Sequence, residues 1–399
     1  MNANSINRIQ RLSDCSMLDR GPFNLTTKPR QANTLVHKMR HIPYMSVGSV
    51  LEHFASHLVS KNSTFQRVLP AAPEITAEKA FKANIQRNIE FALSGPVMLL
   101  NGNICQGTLD GIICFSFATG ELIWSVPLQG SVDSVLSVDD LVLTGSRDGF
   151  LTALNAKDGV KQWEVSAESW VSGITYDEKD FIVFGSRDGQ LRCVSKNGEM
   201  RWACNLGARI LASPCIDKDR VFVGARNGLF YSVDLLTGRI IGTLETGSDV
   251  HGAATVFKSH VIFGSDDKRL YCVDRGTLEV QWMFRTGDAI WSKPIVINEL
   301  VVFGSTDSYI YGLDIYTGVA KWEVGTTAPV RLGLSNSNEL ICVANEKGKI
   351  LFIDFTAGTV IGIGNAGGPV WAAPIELNGG FLVTQRENEL RHFLPYFSK

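Results

Sequence analysis

Aromatic, cationic and imidazole side chains return along this chain at one spacing, about forty residues. The positions are Asp133, Trp170, Leu211, His251, Trp291, Arg331 and Trp371. A purely structural position would repeat one residue type. This one mixes three aromatics with a cation, an imidazole and a carboxylate. Such a mixture suits a flat or anionic ligand held by stacking and charge, and it makes these residues the candidate binding set. A second set comprises Arg147, Asp148, Arg187, Asp188, Arg226, Asp266, Asp267 and Arg386. It sits in Gly-Ser-Arg-Asp-Gly and related segments, whose plainest reading is a good turn with solvated charges. Metal chemistry is poorly supplied. His37/His41 and His53/His57 each stand four apart, which on a helix puts two imidazoles on one face. Zinc needs a third and a fourth ligand, and Cys15 is the only nearby thiol, so no metal site is expected.

The elements that must position these side chains are read from the repeat itself. GSRDGFLTALNAKDGVKQW (Gly145 to Trp163), GSRDGQLRCVSKNGEMRW (Gly185 to Trp202) and GSTDSYIYGLDIYTGVAKW (Gly304 to Trp322) are its clearest copies. The opening residue falls at Gly107, Gly145, Gly185, Gly224, Gly264, Gly304, Ala344 and Thr384. In the unit from Ile290 to Val324, two apolar strands, an alternating third and a Trp-bearing fourth are separated by turn residues. The inner strands are apolar throughout, so neighbouring units must cover both faces. That is the pattern of a propeller blade. Trp124, Trp163, Trp202, Trp282 and Trp322, which follow the Thr-Gly turn or its equivalent, are expected to dock between adjacent blades, while Gly242 and Gly362 replace that Trp.

Seven full units begin near Pro96, Val132, Val171, Ile210, Val250, Ile290 and Val330, and an eighth from Val370 to Phe397 stops after three strands. The missing strand is expected from the other end, at Phe81–Gln86, which removes a free edge. The expected fold is therefore all-β: an eight-bladed β-propeller of four-stranded antiparallel blades with N-to-C closure over 81–399. The alternative is a helix over 76–90, leaving a three-stranded last blade or a seven-bladed ring.

Trp-ended units with an Asp-x-x-Thr-Gly turn resemble the pyrroloquinoline-quinone-like repeat, whose members build eight-bladed rings. WD40 blades differ, since this chain has no Trp-Asp dipeptide. Within that superfamily the tandem Gly-Ser/Cys-x-Asp-x-x-x-Tyr/Ala-x-Asp units look most like the carboxy-terminal propeller of the β-alanine-activating, acyl-CoA-synthetase-like enzymes. The adenylating domain and carrier serine motif of that family are not in this sequence, so the resemblance does not bring its activating chemistry. Quinoprotein dehydrogenases share the repeat but add an adjacent Cys-Cys pair, calcium-binding carboxylates, a catalytic Asp and a secretion signal. None of these aligns here.

Composition narrows the classes further. The 399 residues are 45% apolar, enough for a large core. Residues 1–80 hold ten Lys/Arg against five Asp/Glu, and the remainder 28 against 35, so the ring is mildly acidic and a nucleic-acid partner is not expected. No apolar run reaches membrane-spanning length, and the first thirty residues lack the apolar core of a secretory signal. Eight scattered cysteines without a Cys-x-x-Cys read as buried reduced thiols, and the cytosol is the expected compartment. The arm, 1–80, reads as a disordered segment plus a short helix near 49–60, opened by the capping box Ser49-Val50-Leu51-Glu52.

Three functions are compatible with this. The favoured one is a non-catalytic interaction or sensing module recognising a protein partner or small ligand at the channel mouth, with no resident cofactor. The second is a pyrroloquinoline-quinone-dependent oxidoreductase with calcium. The third is an accessory domain of an amino-acid or acyl adenylating system. Oligomeric state is not readable from the chain.

Overall fold

The computed structural model describes residues 72, 74–75, 79–82, 97–98, 102–337, 340–370, 372–384 and 389–394. The expected helix at 49–60, the disordered segment and the two His pairs lie outside them. Eight four-stranded antiparallel sheets follow one another in order. Blade 4 is representative: Cys215–Asp217, Arg220–Gly224, Leu229–Asp234 and Ile240–Glu245 run from the centre outward. Innermost strands touch from blade 1 through blade 6 and again between blades 7 and 8. Shared cores join blade 6 to blade 7 and blade 8 to blade 1, which closes the blades around a central axis. Blade 8 takes Ile375–Leu377, Gly380–Thr384 and Glu389–Phe393 from the carboxy-terminal end and Lys79–Lys82 from the amino-terminal side. The closing strand is thus present, shifted two residues towards the amino terminus from Phe81, and eight blades, not seven, form the ring.

The core lies between blades, as the two-sided apolar strands require. Phe230 of blade 4 stacks on Phe263 of blade 5 with centroids 3.7 Å apart. The repeat glycine marks the tightest approach. A Cβ on Gly185, Gly224, Gly264 or Gly304 would lie 2.2–2.4 Å from Ile210, Val250, Ile290 or Val330 at the start of the next blade.

Each of the five tryptophans donates its indole N–H to a carbonyl in the next blade's outer turn: Trp124 to Ala156, Trp163 to Lys196, Trp202 to Leu235, Trp282 to Ile315 and Trp322 to Phe355. The ring then lies on the glycine of that turn, from Gly159 for Trp124 to Gly358 for Trp322. This pairing of ring and turn glycine explains why the Thr-Gly turn and the Trp repeat together. The two exceptions are filled differently. Opposite Gly242 the turn carries Leu278, and opposite Gly362 the space is taken by Ile75, whose N–H bonds the Ile363 carbonyl at 2.7 Å.

A bulge one residue before each Trp position, as between Cys193 and Val194, recurs in the third-to-fourth strand pairing of blades 1–7. Bulges sharpen strand twist and re-aim the side chains that follow them.

Candidate functional site at the channel mouth

The start of an innermost strand and the hairpin joining a blade's second and third strands lie at the same end of the blade, because alternate strands are antiparallel. Backbone bonds tie the two together. The N–H groups of Arg147, Arg187, Arg226, Asp266, Thr306 and Glu346 donate to the carbonyls of Ser131, Trp170, Arg209, Asp249, Ala289 and Pro329, one pair per blade. This sets the register of the mouth. Asp133, Leu211, His251, Trp291 and Arg331 share one position, two residues after the carbonyl. Trp170 does not: Ser172 fills that position in blade 3, and Trp170 itself is the carbonyl-bearing residue. The expected seven-membered set is therefore two tiers, and the upper tier adds Arg209 and Asp249, which sequence reasoning passed over. Their signal was present in the fixed offset from the hairpin rather than from the strand.

The hairpin charges also divide. Asp188 accepts from Ser186 Oγ and pairs with Arg192 at 2.8 Å, and Asp148 accepts from Ser146 Oγ. Asp267 accepts from the Gly247 N–H and the Tyr271 hydroxyl. These three carboxylates hold the turns. Arg147, Arg187, Arg226 and Asp266 instead reach the mouth residues. Trp371 and Arg386 lie outside the described residues.

Two connected groups result. In blades 2 and 3, Arg147 pairs with Asp133 at 2.7 Å, and the guanidinium carbons of Arg147 and Arg187 stand 4.1 and 3.2 Å from the Trp170 ring centre. In blades 4 to 7, Arg226 pairs with Asp249 at 2.8 Å, and His251 lies 3.6 Å from Asp249 and 3.8 Å from Asp266. The Trp291 indole donates to Asp266 at 2.6 Å, its ring centre is 5.3 Å from that of His251, and Arg331 stands 4.5 Å over it. Arg331 pairs in turn with Glu346 at 2.6 Å. Stacked cations and shared carboxylates thus hold these side chains in place before any ligand arrives, which lowers the ordering cost of recognition.

Asp249, His251 and Asp266 bring one ligand atom each within 4.8 Å of one another, the arrangement among the described residues best placed to hold a metal ion. One oxygen of each carboxylate is already engaged: Arg226 donates to Asp249 Oδ2 and Trp291 to Asp266 Oδ1. With a guanidinium beside Asp249, the cluster is better matched to a hydrogen-bonded network than to a cation.

Burial raises the proton affinity of Asp266, with Asp249 adding to the rise and His251 and the Trp291 N–H opposing it. A folded carboxyl that holds its proton more tightly than the unfolded chain costs stability when ionised. That cost is present above the raised value and disappears as pH falls through it towards the ordinary carboxylate range. Asp266→Asn keeps an oxygen for Trp291. It is expected to unfold at a higher temperature than wild type at neutral pH, with the gap closing on acidification. Equal melting temperatures at both ends of a series from pH 4 to pH 8 would refute this.

Taken together, the fold and the mouth define an eight-bladed propeller of the pyrroloquinoline-quinone-like repeat class. The chain belongs to the family described as the beta-alanine-activating enzyme, beta-propeller, whose model matches residues 103–394. The mouse (Mus musculus) beta-alanine-activating enzyme is 25% identical over 146 residues, covering 34% of this chain and 13% of that protein. The outer membrane protein assembly factor BamB of Moranella endobia is 28% identical over 181 residues, covering 41% of this chain and 47% of its own length. This chain therefore spans less than half the length of either curated relative. Among solved structures, BamB from Moraxella catarrhalis superposes with a TM-score of 0.65 at 19% identity, over 80% of this chain and 99% of that one. The computationally designed Ika8 protein superposes with a TM-score of 0.70 at 16% identity, over 81% and 100%. These last two similarities show the fold.

Proposed function

We propose that this propeller is a non-catalytic recognition module whose channel mouth binds a protein partner or small ligand. One contrast carries the reading. The Trp, Gly and turn Asp positions repeat because they hold blades together, whereas the mouth positions differ from blade to blade, running Asp133, Ser172, Leu211, His251, Trp291, Arg331. Packing alone asks for repetition there. A ligand with its own asymmetric chemistry asks for variety. Similarity to an assembly factor, named as such, supports an interaction role over a reaction.

A resident quinone is not part of this reading, because the Trp291 ring lies against His251 and under Arg331, and Trp170 stands under two arginines. A reducing compartment such as the cytosol belongs to the same proposal, on the scattered cysteines of a sequence without a Cys-x-x-Cys.

The test is affinity capture from a native extract with wild type and with the Trp291→Ala/Arg331→Ala double variant, each checked for an unchanged melting temperature. A partner retained by wild type and lost by the folded variant supports the reading. The same partners on both, or a saturable pyrroloquinoline quinone absorbance with calcium added, overturns it.

A further inference from the structure

The blade 2–4 side of the mouth gathers four guanidinium groups from three consecutive blades: Arg147, Arg187 and Arg226 from hairpins, and Arg209 from the upper tier. Two are neutralised, Arg147 by Asp133 and Arg226 by Asp249. Among the described residues, Arg187 and Arg209 have no carboxylate partner. Arg187 is also half-buried, flat against Trp170, with its Nε atom buried and without a hydrogen-bond partner. An orphaned N–H of a charged group is costly, because it has lost water without gaining a hydrogen bond.

The electrostatics run the same way. Burial, then Arg147 and Arg209, then Arg226 weaken the hold of Arg187 on its proton, and only Asp133 opposes them. The backbone places Arg209 between the hairpins of blades 3 and 4: its carbonyl accepts from the Arg226 N–H at 3.0 Å, while the Ile210 N–H donates to the Ser186 carbonyl at 3.3 Å. Like charges gathered there call for counter-charge, of which the two aspartates provide half. The Trp170 ring, 3.2 Å from the Arg187 guanidinium carbon, restrains the fork before a ligand comes.

We infer that this half of the mouth binds a doubly charged phosphate group, either free phosphate or the phosphomonoester end of a small molecule, through Arg187 and Arg209 with Arg147 and Arg226 at the rim. Two unpaired guanidiniums match a dianion in charge. The three terminal oxygens of a phosphomonoester can accept from several forks at once, whereas a carboxylate has two. The inference deepens the recognition reading by naming what one side of the mouth would hold, and it rests on that reading for the use of the site.

The experiment is calorimetric titration of the full chain with inorganic phosphate and with phenyl phosphate, in a phosphate-free buffer of constant ionic strength. Saturable binding of one phosphate per chain is expected, weakening as salt is raised. Arg187→Met and the exposed Arg209→Gln should each weaken it about tenfold or more, the scale of one lost charge-assisted bond. Arg239→Gln, in a Thr-Gly turn at the opposite end of its blade, should leave it unchanged.

Arg209 is exposed, so its variant keeps the test informative even if Arg187→Met unfolds. Equal affinity for both phosphates points to the free ion, and tighter phenyl phosphate to a monoester. No saturable heat, equal affinity in Arg209→Gln, or malonate binding as tightly as phosphate overturns the inference. If phosphate fails while capture still depends on Trp291 and Arg331, only the phosphate assignment falls. If phosphate binds but capture is unaffected by the mouth variants, the recognition reading falls instead.

Discussion

Replacing Trp202 with alanine should lower the stability of the propeller by about 3–5 kcal/mol, the cost of emptying a well-packed aromatic site. The ring is 8% exposed, and its N–H bonds the Leu235 carbonyl of the next blade at 2.8 Å. The alanine would leave a void between two blades and orphan that carbonyl. Gly238, beneath the ring, should be as sensitive from the other side. It sits at φ +70°, and a Cβ there would stand 2.6 Å from the Trp202 ring. Gly238→Val therefore meets both a left-handed backbone and an aromatic wall. Trp163, only half-buried, should lose less than Trp202 or Trp322 on the same change. Urea unfolding followed by circular dichroism measures all of these, and a Trp202→Ala loss below about 1 kcal/mol would mean the ring is not what joins the blades.

The blade 4–5 junction offers the reciprocal experiment. There the Trp position is Gly242 and the turn glycine position is Leu278, at φ +62°. A Cβ on Gly242 would already lie 3.6 Å from Leu278 Cδ1, so an indole has no room while the leucine stays. Gly242→Trp alone should destabilise. Adding Leu278→Gly should recover roughly 0.5–3 kcal/mol, the range expected for residues in direct contact.

That junction also shows what could and could not be read from the chain. The repeat, the turns and the blade-docking tryptophans are legible because each rests on a local rule repeated many times, so errors in one copy are corrected by the others. Closure was legible by counting, since the last unit stops one strand short. The substitutes for Trp were not, because Leu278 belongs to the following repeat and Ile75 to no repeat at all. Trp170 was misplaced by two, at an irregular strand start. The innermost strands of blades 2 and 3 carry bulges, between Val132 and Ser134 and between Val171 and Gly173, that the inner strands of the other blades lack among the described residues. Counting back from an apolar strand slips by two at Trp170, although it holds at Asp133. Counting from the Gly-Ser hairpin does not, and would have brought Arg209 and Asp249 into view.

Removing residues 1–82 should cost the ring its closure and raise its state of association. Lys79–Lys82 pairs with Glu389–Phe393 in four-residue register, as the outer strand of blade 8. Each ladder bond contributes roughly 0.5–1.5 kcal/mol, so the strand itself is a modest loss. The larger effect is the exposed edge, a template for pairing with other chains. The same deletion takes Ile75 from its place over Gly362, opening blade 7 where no Trp stands in reserve. Ala72 packs on the blade 6–7 core as well and goes with it. Light scattering should therefore show oligomers for the chain beginning at 83, with an unfolding temperature well below that of the full chain. The chain beginning at 64, which keeps the whole compact unit Thr64–Lys399, should behave like the full protein. A peptide of residues 70–86 added in trans should restore the full chain's state of association by strand addition if the edge is the cause. An unclasped ring that keeps the full chain's state of association and is equally stable would mean that the first seven blades and a three-stranded eighth suffice. In that case Ile75 and the closing strand would be covering the ring rather than holding it.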